Sequence, residues 1–306
     1  KRKMKLGVVF PQLDIGDDPI AIRDYAQAAE AMGYAHILAF DHVLGMNAAS
    51  RPGWKGYYDH QDMFHEPFVL FGYLAGQTER IGFLTGIIVL PQRQTPLVAN
   101  QAAQVEVLSG GRLRLGVGIG WNADEFAGMG ENFRNRGRRI EEQITLLRKL
   151  WTEELVTFDG EWHKIVDAGI NPLPVQRPIP IWIGGGAEPV IKRIGRMGDG
   201  WLPQFPSMDP VLSRTGSQPR RHEPPEDLIE RMHGYAREAG RDPADIGIEG
   251  RSSIAGQTPE EWIAVHDRWK KIGATHLSVN TMRADLKGPD AQIDAIRRYK
   301  EAVDGA

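Results

Sequence analysis

Residues 34–43 read Tyr-Ala-His-Ile-Leu-Ala-Phe-Asp-His-Val, and the fold is decided there. A mostly apolar run, 34–40, has the length of one buried strand and ends in an acid and an imidazole, Asp41 and His42. In proteins built of repeated strand and helix units, active sites form at the carboxyl ends of the strands, so this pair is a catalytic candidate. The plainer alternative makes Asp41 a loop cap and His42 a polar residue at a strand end.

Working outward, the chain alternates strand and helix. Residues 5–10 read as a strand, and Pro19 opens a helix whose apolar positions Ile22, Tyr25, Ala26, Ala29 and Met32 keep helical spacing up to Gly33. After a polar and aromatic loop, Pro67 starts a helix, residues 81–90 form one β-branched apolar run, and a helix over 96–108 leads through Ser109-Gly110-Gly111 into a strand over 113–117. A helix carrying Ile140, Ile144, Leu147 and Trp151 precedes an inserted hairpin over 157–165, turning at Asp159-Gly160.

Strands then fall at 180–183 and 200–203, with a helix over 189–197 between them. A loop containing Pro206, Pro210, Pro219, Pro224 and Pro225 follows, then a helix over 226–239. The seventh strand, 246–254, is weakened by Gly247 and Gly250. Thr258 and Glu261 make a capping box around Pro259 for a helix that buries Trp262, Val265, Trp269 and Ile272, and an eighth strand (275–279) and last helix (291–303) complete the order. Eight strands, apolar through their centres, predict an α/β fold, a (β/α)8 TIM barrel forming a single domain over 1–306; a doubly wound open sheet is the alternative.

The bulk numbers fit small-molecule chemistry. With 306 residues, 41% of them hydrophobic, one large core is affordable, and a net charge of -3 provides no basic field for nucleic acid or an anionic membrane. No apolar window is long enough to span a bilayer, and Lys1 to Lys3 ahead of Met4 look like a cloning remnant, so a cytoplasmic protein is expected. Zero cysteines exclude disulfides, thiolate metal sites and a cysteine nucleophile. No histidine has zinc-like spacing, so no metal is expected; His60 and His65 read as loop residues.

Two glycine runs invite a nucleotide reading. Gly116-Val117-Gly118-Ile119-Gly120 follows a strand but continues into Trp121, Asn122 and Asp124 rather than into a third spaced glycine and a helix, so it is not a Rossmann fingerprint. Gly184, Gly185, Gly186 and Ala187 lie between a strand and a helix, where free amides and the helix dipole favour phosphate; the alternative is a tight turn. Arg214, Arg220, Arg221 and His222 are either a solvated loop or a lid gripping an anion. Trp54, Trp121 and Trp201 either border a substrate pocket or fill the core.

Several motifs together resemble the luciferase-like family of flavin and deazaflavin oxidoreductases, over nearly the whole chain. They are Leu6-Gly7-Val8-Val9-Phe10-Pro11, Phe40-Asp41-His42, Thr85-Gly86-Ile87-Ile88-Val89-Leu90-Pro91, Leu108-Ser109-Gly110-Gly111-Arg112 and the 116–121 segment. Glu125-Phe126, Arg136 to Arg139, 180–185 and Gly198-Asp199-Gly200-Trp201 complete them. The resemblance implies the (β/α)8 barrel, coenzyme F420 with FMN as the alternative, and a non-proline cis peptide between Ile88 and Val89 that presses this pair on the back of the ring. It makes His42 the base beside the reacting carbon and Asp41 a ring contact. It further implies a homodimer, marked by the helices near Phe71 and Val105. Where a sugar-phosphate dehydrogenase of the family places a glutamate acid this chain has Trp121, so neither that acid nor that substrate carries over.

The expected reaction is hydride transfer between F420 and a small organic substrate, His42 moving the accompanying proton. An FMN monooxygenase fed by a partner reductase is the enzymatic rival, and a barrel without cofactor the non-enzymatic one.

Overall fold

The computed structural model describes residues 3–205, 208 and 223–305. Pro206, Pro210 and Pro219, and the basic cluster of Arg214, Arg220, Arg221 and His222, lie outside the described residues. In chain order the strands are β1 (Lys5–Val9), β2 (His36–Ala39), β3 (Gly82–Thr85), β4 (Ile88–Val89), β5 (Leu113–Gly118), β6 (Val156–Asp159), β7 (Lys164–Ala168), β8 (Ile181–Gly184), β9 (Gly200–Leu202), β10 (Gly247–Ser253) and β11 (His276–Asn280). The helices are α1 (Pro19–Ala31), α2 (Pro67–Ala75), α3 (Thr95–Ser109), α4 (Ala123–Gly128), α5 (Arg136–Thr152), α6 (Glu188–Met197), α7 (Pro225–Glu238), α8 (Pro259–Lys271) and α9 (Gly288–Asp304). Apart from the β6–β7 hairpin, and with β3 and β4 as halves of one interrupted strand, this is the strand and helix alternation expected of a (β/α)8 chain.

The chain groups into two compact units, one of residues 1–39, 80–82 and 182–306 and the other of residues 40–79 and 83–181. In the first unit the strands pair in the order β2-β1-β11-β10-β9-β8, all parallel. Their side chains are mostly buried, as in strands covered on both faces. β10 runs unbroken through Gly247 and Gly250. A Cβ at Gly247 would stand 2.4 Å from the Trp182 ring and one at Gly250 2.4 Å from the Trp269 ring, so both glycines make room for indoles. In this core His36 Nε2 lies 2.7 Å from Glu249 Oε1 and 2.9 Å from Ser278 Oγ. The capping box forms as expected, with the Thr258 amide donating to Glu261 Oε2 at 2.7 Å and the Glu261 amide to Thr258 Oγ1 at 3.4 Å. Trp262 and Trp269 are the buried residues of α8.

In the second unit β3 and β4 both pair in parallel with β5, Phe83 opposite Leu113 and Ile88 opposite Val117. The apolar run 81–90 is therefore not one strand. The cis peptide lies between Gly86 and Ile87, which corrects its expected place between Ile88 and Val89. Helix α3 packs against α2 and α5 and ends at Gly110 with φ 67°, the left-handed conformation glycine adopts without a Cβ clash. The inserted hairpin is β6–β7. Phe71 and Val105 themselves are buried; Val69 and Tyr73 on α2 and Leu97, Val107 and Leu108 on α3 are the exposed large hydrophobic side chains of these helices.

Candidate active site

In the second unit the interrupted strand shapes the site. A Cβ on Gly118 would stand 2.7 Å from Ile87 Cδ1, and one on Gly120 2.5 Å from Val89 Cγ1. Gly118 and Gly120 therefore make room for the segment following the cis peptide, and Ile88 and Val89 are buried on it. Residues 90–95 are tied down by Gln143, whose Nε2 donates to Leu90 O at 3.1 Å, Arg93 O at 3.2 Å and Thr95 Oγ1 at 3.0 Å.

Asp41 is buried beside this segment. Its Oδ2 accepts the Val89 amide at 3.0 Å, and its Oδ1 accepts Arg93 Nη2 at 2.7 Å. Arg93 Nη1 also donates to Glu66 Oε1 at 3.0 Å, while Glu66 Oε2 caps α2 through the Val69 amide at 2.8 Å. Burial pushes the Asp41 carboxyl above its ordinary value, against the opposing pull of Arg93 and the Val89 amide. Burial also works against the charge of Arg93, but Asp41 and Glu66 outweigh it and raise the guanidinium further. Both Asp41 oxygens thus have protein partners, which makes Asp41 a holder of the 87–89 backbone.

His42 is positioned by a residue to which the sequence attached no role. Asn122 caps α4 through its Oδ1, which accepts the amides of Asp124 at 3.2 Å and Glu125 at 3.3 Å. That places Glu125, only 1% exposed, in the first turn, where a negative charge suits the helix dipole. Glu125 Oε1 accepts the amides of Val43 at 2.7 Å and Leu44 at 3.3 Å, and its Oε2 lies 3.2 Å from His42 Nδ1. Burial raises the Glu125 pKa, but the His42 imidazole and the two amides outweigh it and hold the carboxyl below its ordinary range. A carboxylate only accepts, so the geometry requires the proton on Nδ1 and leaves Nε2 to take another.

The His42 ring lies in an aromatic box. Phe64 is 4.9 Å away, Tyr58 5.2 Å and Trp121 5.8 Å between ring centroids. Trp54 stands 5.9 Å and Tyr57 5.6 Å from Trp121, and Arg51 Nε anchors the loop to Asp124 Oδ2 at 2.9 Å. A cavity of about 200 Å³ opens here, lined by His42, Tyr58, Phe64 and Trp121 among others. Among the described residues no three His, Cys, Asp or Glu side chains are placed to hold a metal ion.

The other expected site residues lie in the first unit. Gly185 N–H donates to Leu202 O at 3.3 Å, whereas among the described residues the amides of Gly186 and Ala187, exposed at the start of α6, have no hydrogen-bond acceptor. A Cβ on Gly186 would meet nothing within 4 Å, so the backbone there is open to a phosphate. Trp201 is fully buried and its indole N–H donates to Gly185 O at 2.7 Å, so it is a core residue rather than a pocket wall.

The open amides at the start of α6 fit a phosphate in the first unit; separately, the second unit offers buried β-branched residues, Ile88 and Val89, on a bulged strand. Sequence reasoning named His42, Asp41, Ile88, Val89, Trp54 and Trp121 in this unit, and missed Glu125, Arg93 and Glu66. The run Asn122-Ala123-Asp124-Glu125, a cap followed by acids, was the available signal for Glu125.

Residues 4–305 match the family profile of luciferase-like monooxygenases. An uncharacterized protein of Mycobacterium tuberculosis is 35% identical over 182 residues, a match spanning 58% of this chain and 62% of that protein. An F420-dependent glucose-6-phosphate dehydrogenase of Segniliparus rotundus is 30% identical over 289 residues, spanning 91% of this chain and 77% of that one. Among solved structures, the monooxygenase RslO1 of Streptomyces bottropensis superposes with a TM-score of 0.76 at 18% identity, covering 99% of each chain. The profile match and this likeness show the fold to be the (β/α)8 barrel expected from the sequence, not an open sheet.

Proposed function

The chain belongs to the luciferase-like monooxygenase family, and from that premise we propose that it is an oxidoreductase using coenzyme F420 for hydride transfer to or from a small organic substrate. The observation that carries the reading is His42, held through Nδ1 by the buried Glu125 at 3.2 Å, with its ring on an aromatic cavity. Similarity to proteins named as F420-dependent dehydrogenases supports F420 over FMN. When bound, the deazaflavin supplies the hydride carrier.

The chain's own residues do the rest. Ile88 and Val89 would contact the ring, and Asp41 with Arg93 keeps that backbone in place. In the first unit the amides of Gly186 and Ala187 would hold a phosphate group. Glu125 fixes the His42 tautomer so that Nε2 moves the proton accompanying the hydride, a role worth roughly 10²- to 10⁴-fold in rate for a positioned acid or base. Trp54 and Trp121 wall the substrate side. The protein works in the cytoplasm as a homodimer, with its cofactor redox-cycled by a separate reductase. Among the described residues no helix is long and apolar enough to cross a membrane.

Titration of the purified protein with F420 and, separately, with FMN tests the reading through quenching of tryptophan fluorescence. Tighter binding of F420 is expected. Tighter binding of FMN moves the protein to the flavin monooxygenases, and binding of neither removes the cofactor reading.

A further inference from the structure

We propose that His163, at the turn of the β6–β7 hairpin, is a positioning residue for the ring-binding segment: with Glu142 it fixes Thr95, and through Thr95 and Gln143 it fixes the backbone of 90–93 and so the bulge at 87–89. The inference rests on the proposed function for what the bulge is used for, and on hydrogen-bond geometry for how the bulge is held.

Two consecutive residues of α5 carry it. Glu142 fastens the hairpin: its Oε2 accepts the Glu161 amide at 2.7 Å, and its Oε1 accepts the amides of Trp162 and His163, each at 2.9 Å, and lies 2.7 Å from His163 Nδ1. Gly160 leaves the space this requires, since a Cβ there would stand 2.4 Å from Glu142 Oε1. Gln143 fastens the segment after the bulge through Leu90 O, Arg93 O and Thr95 Oγ1. Thr95 joins the two, its Oγ1 lying 2.7 Å from His163 Nε2.

The protons follow along the whole chain. Burial raises the Glu142 pKa, but the His163 imidazole and the three amides outweigh it and hold the carboxyl below its ordinary range, so Glu142 only accepts. The His163 proton is therefore on Nδ1, Nε2 accepts the Thr95 hydroxyl, and the Thr95 oxygen accepts Gln143 Nε2. Beyond Gln143, the Arg93 side chain holds Asp41, and Asp41 holds the Val89 amide. Thr95 and Gln143 are fully buried, so solvent does not replace a lost partner in this chain.

A hairpin that only covered surface would not need these bonds. Its strands are exposed or half-buried except at Val156, whereas the His163 side chain is only 10% exposed. The Glu–His device repeats the one at His42 with a different outcome. Glu125 leaves His42 Nε2 free to take a proton, while His163 Nε2 is committed to Thr95 and acts on the site through the backbone.

Amide hydrogen exchange without cofactor tests this at Val89, with the Leu115 amide, which donates to Pro180 O at 2.9 Å in the same unit, as reference. Thr95→Val, isosteric but lacking the hydroxyl, and His163→Phe should each speed Val89 exchange at least about tenfold and leave Leu115 unchanged. Thr95→Ser and His163→Gln, which keep the donor and the acceptor, should restore protection. The double variant Thr95→Val, His163→Phe should exchange no faster than either single one, because both cut one chain. F420 should bind the single variants about tenfold more weakly than wild type, in step with the exchange. Unchanged Val89 exchange, equal acceleration at Leu115, no restoration by Ser or Gln, additive effects in the double variant, or F420 binding equal in wild type and Thr95→Val would overturn the proposal. If His163→Phe does not fold, the two Thr95 variants decide. Failure of wild type to bind F420, with the Val89 response intact, refutes the cofactor reading and leaves the hairpin's hold on the bulge standing.

Discussion

Two glycine-rich strand ends look alike in the sequence and work in opposite ways. In the 116–120 run the places of two missing Cβ atoms are filled by the protein itself, by Ile87 against Gly118 and Val89 against Gly120. At 184–187 the space before Gly186 is empty, and the amides of Gly186 and Ala187 have no acceptor among the described residues. A glycine run is thus read by what occupies the absent side chain's position: a packed methyl marks architecture, and open space beside unpaired amides marks a place for a ligand.

If the first region is held by side chains, cutting its buried ion pair should have the largest effect. Arg93→Met leaves Asp41 buried and unpaired, and a loss of about 3 to 5 kcal/mol in urea unfolding is expected; a loss near zero would mean that the bulge stands without Asp41. Gly120→Ala tests the packed methyl. It combines φ +68° with a Cβ 2.5 Å from Val89, so stability should fall by about 2 to 3 kcal/mol.

Glu125→Gln should cost about 1 to 2 kcal/mol near neutral pH, as loss of hydrogen bonds to a charged group does. Its pH dependence is the sharper test. Folding holds the Glu125 carboxyl below its ordinary range, so its contribution is complete above a pH of about 4.3 and disappears as pH falls through the lower folded-state value. The difference between wild type and variant should shrink over that acid interval, and a difference that grows there would contradict the geometry. Gly186→Ala should change stability by less than about 0.5 kcal/mol, since nothing lies within 4 Å of the new methyl, yet weaken cofactor binding measured by titration. A variant that binds as well as the wild type would return 184–187 to a simple turn.

The alternation of strand and helix was legible because apolar runs and glycine or proline stops are local signals. The break of the third strand was not, since its supports come from Asp41, 48 residues from Val89, and Gln143, 53 residues from Leu90. His42 was legible from its place after a strand, and Trp121 was named only as an aromatic that either borders a pocket or fills the core; both line one cavity. Glu125 lies 83 residues from His42, and only the folded chain brings the two together. The room that Gly247 and Gly250 make was not legible for the same reason: the indoles they accommodate come from other elements.

The most direct test of the central claim is the rate at which reduced F420 is consumed by wild type and by His42→Ala, at saturating cofactor, on an acceptor drawn from a screen of iminium ions, activated alkenes and carbonyls. The account predicts a loss of roughly 10²- to 10⁴-fold with an unchanged F420 dissociation constant. Equal rates in the two proteins, or turnover only with reduced FMN and oxygen, would contradict it.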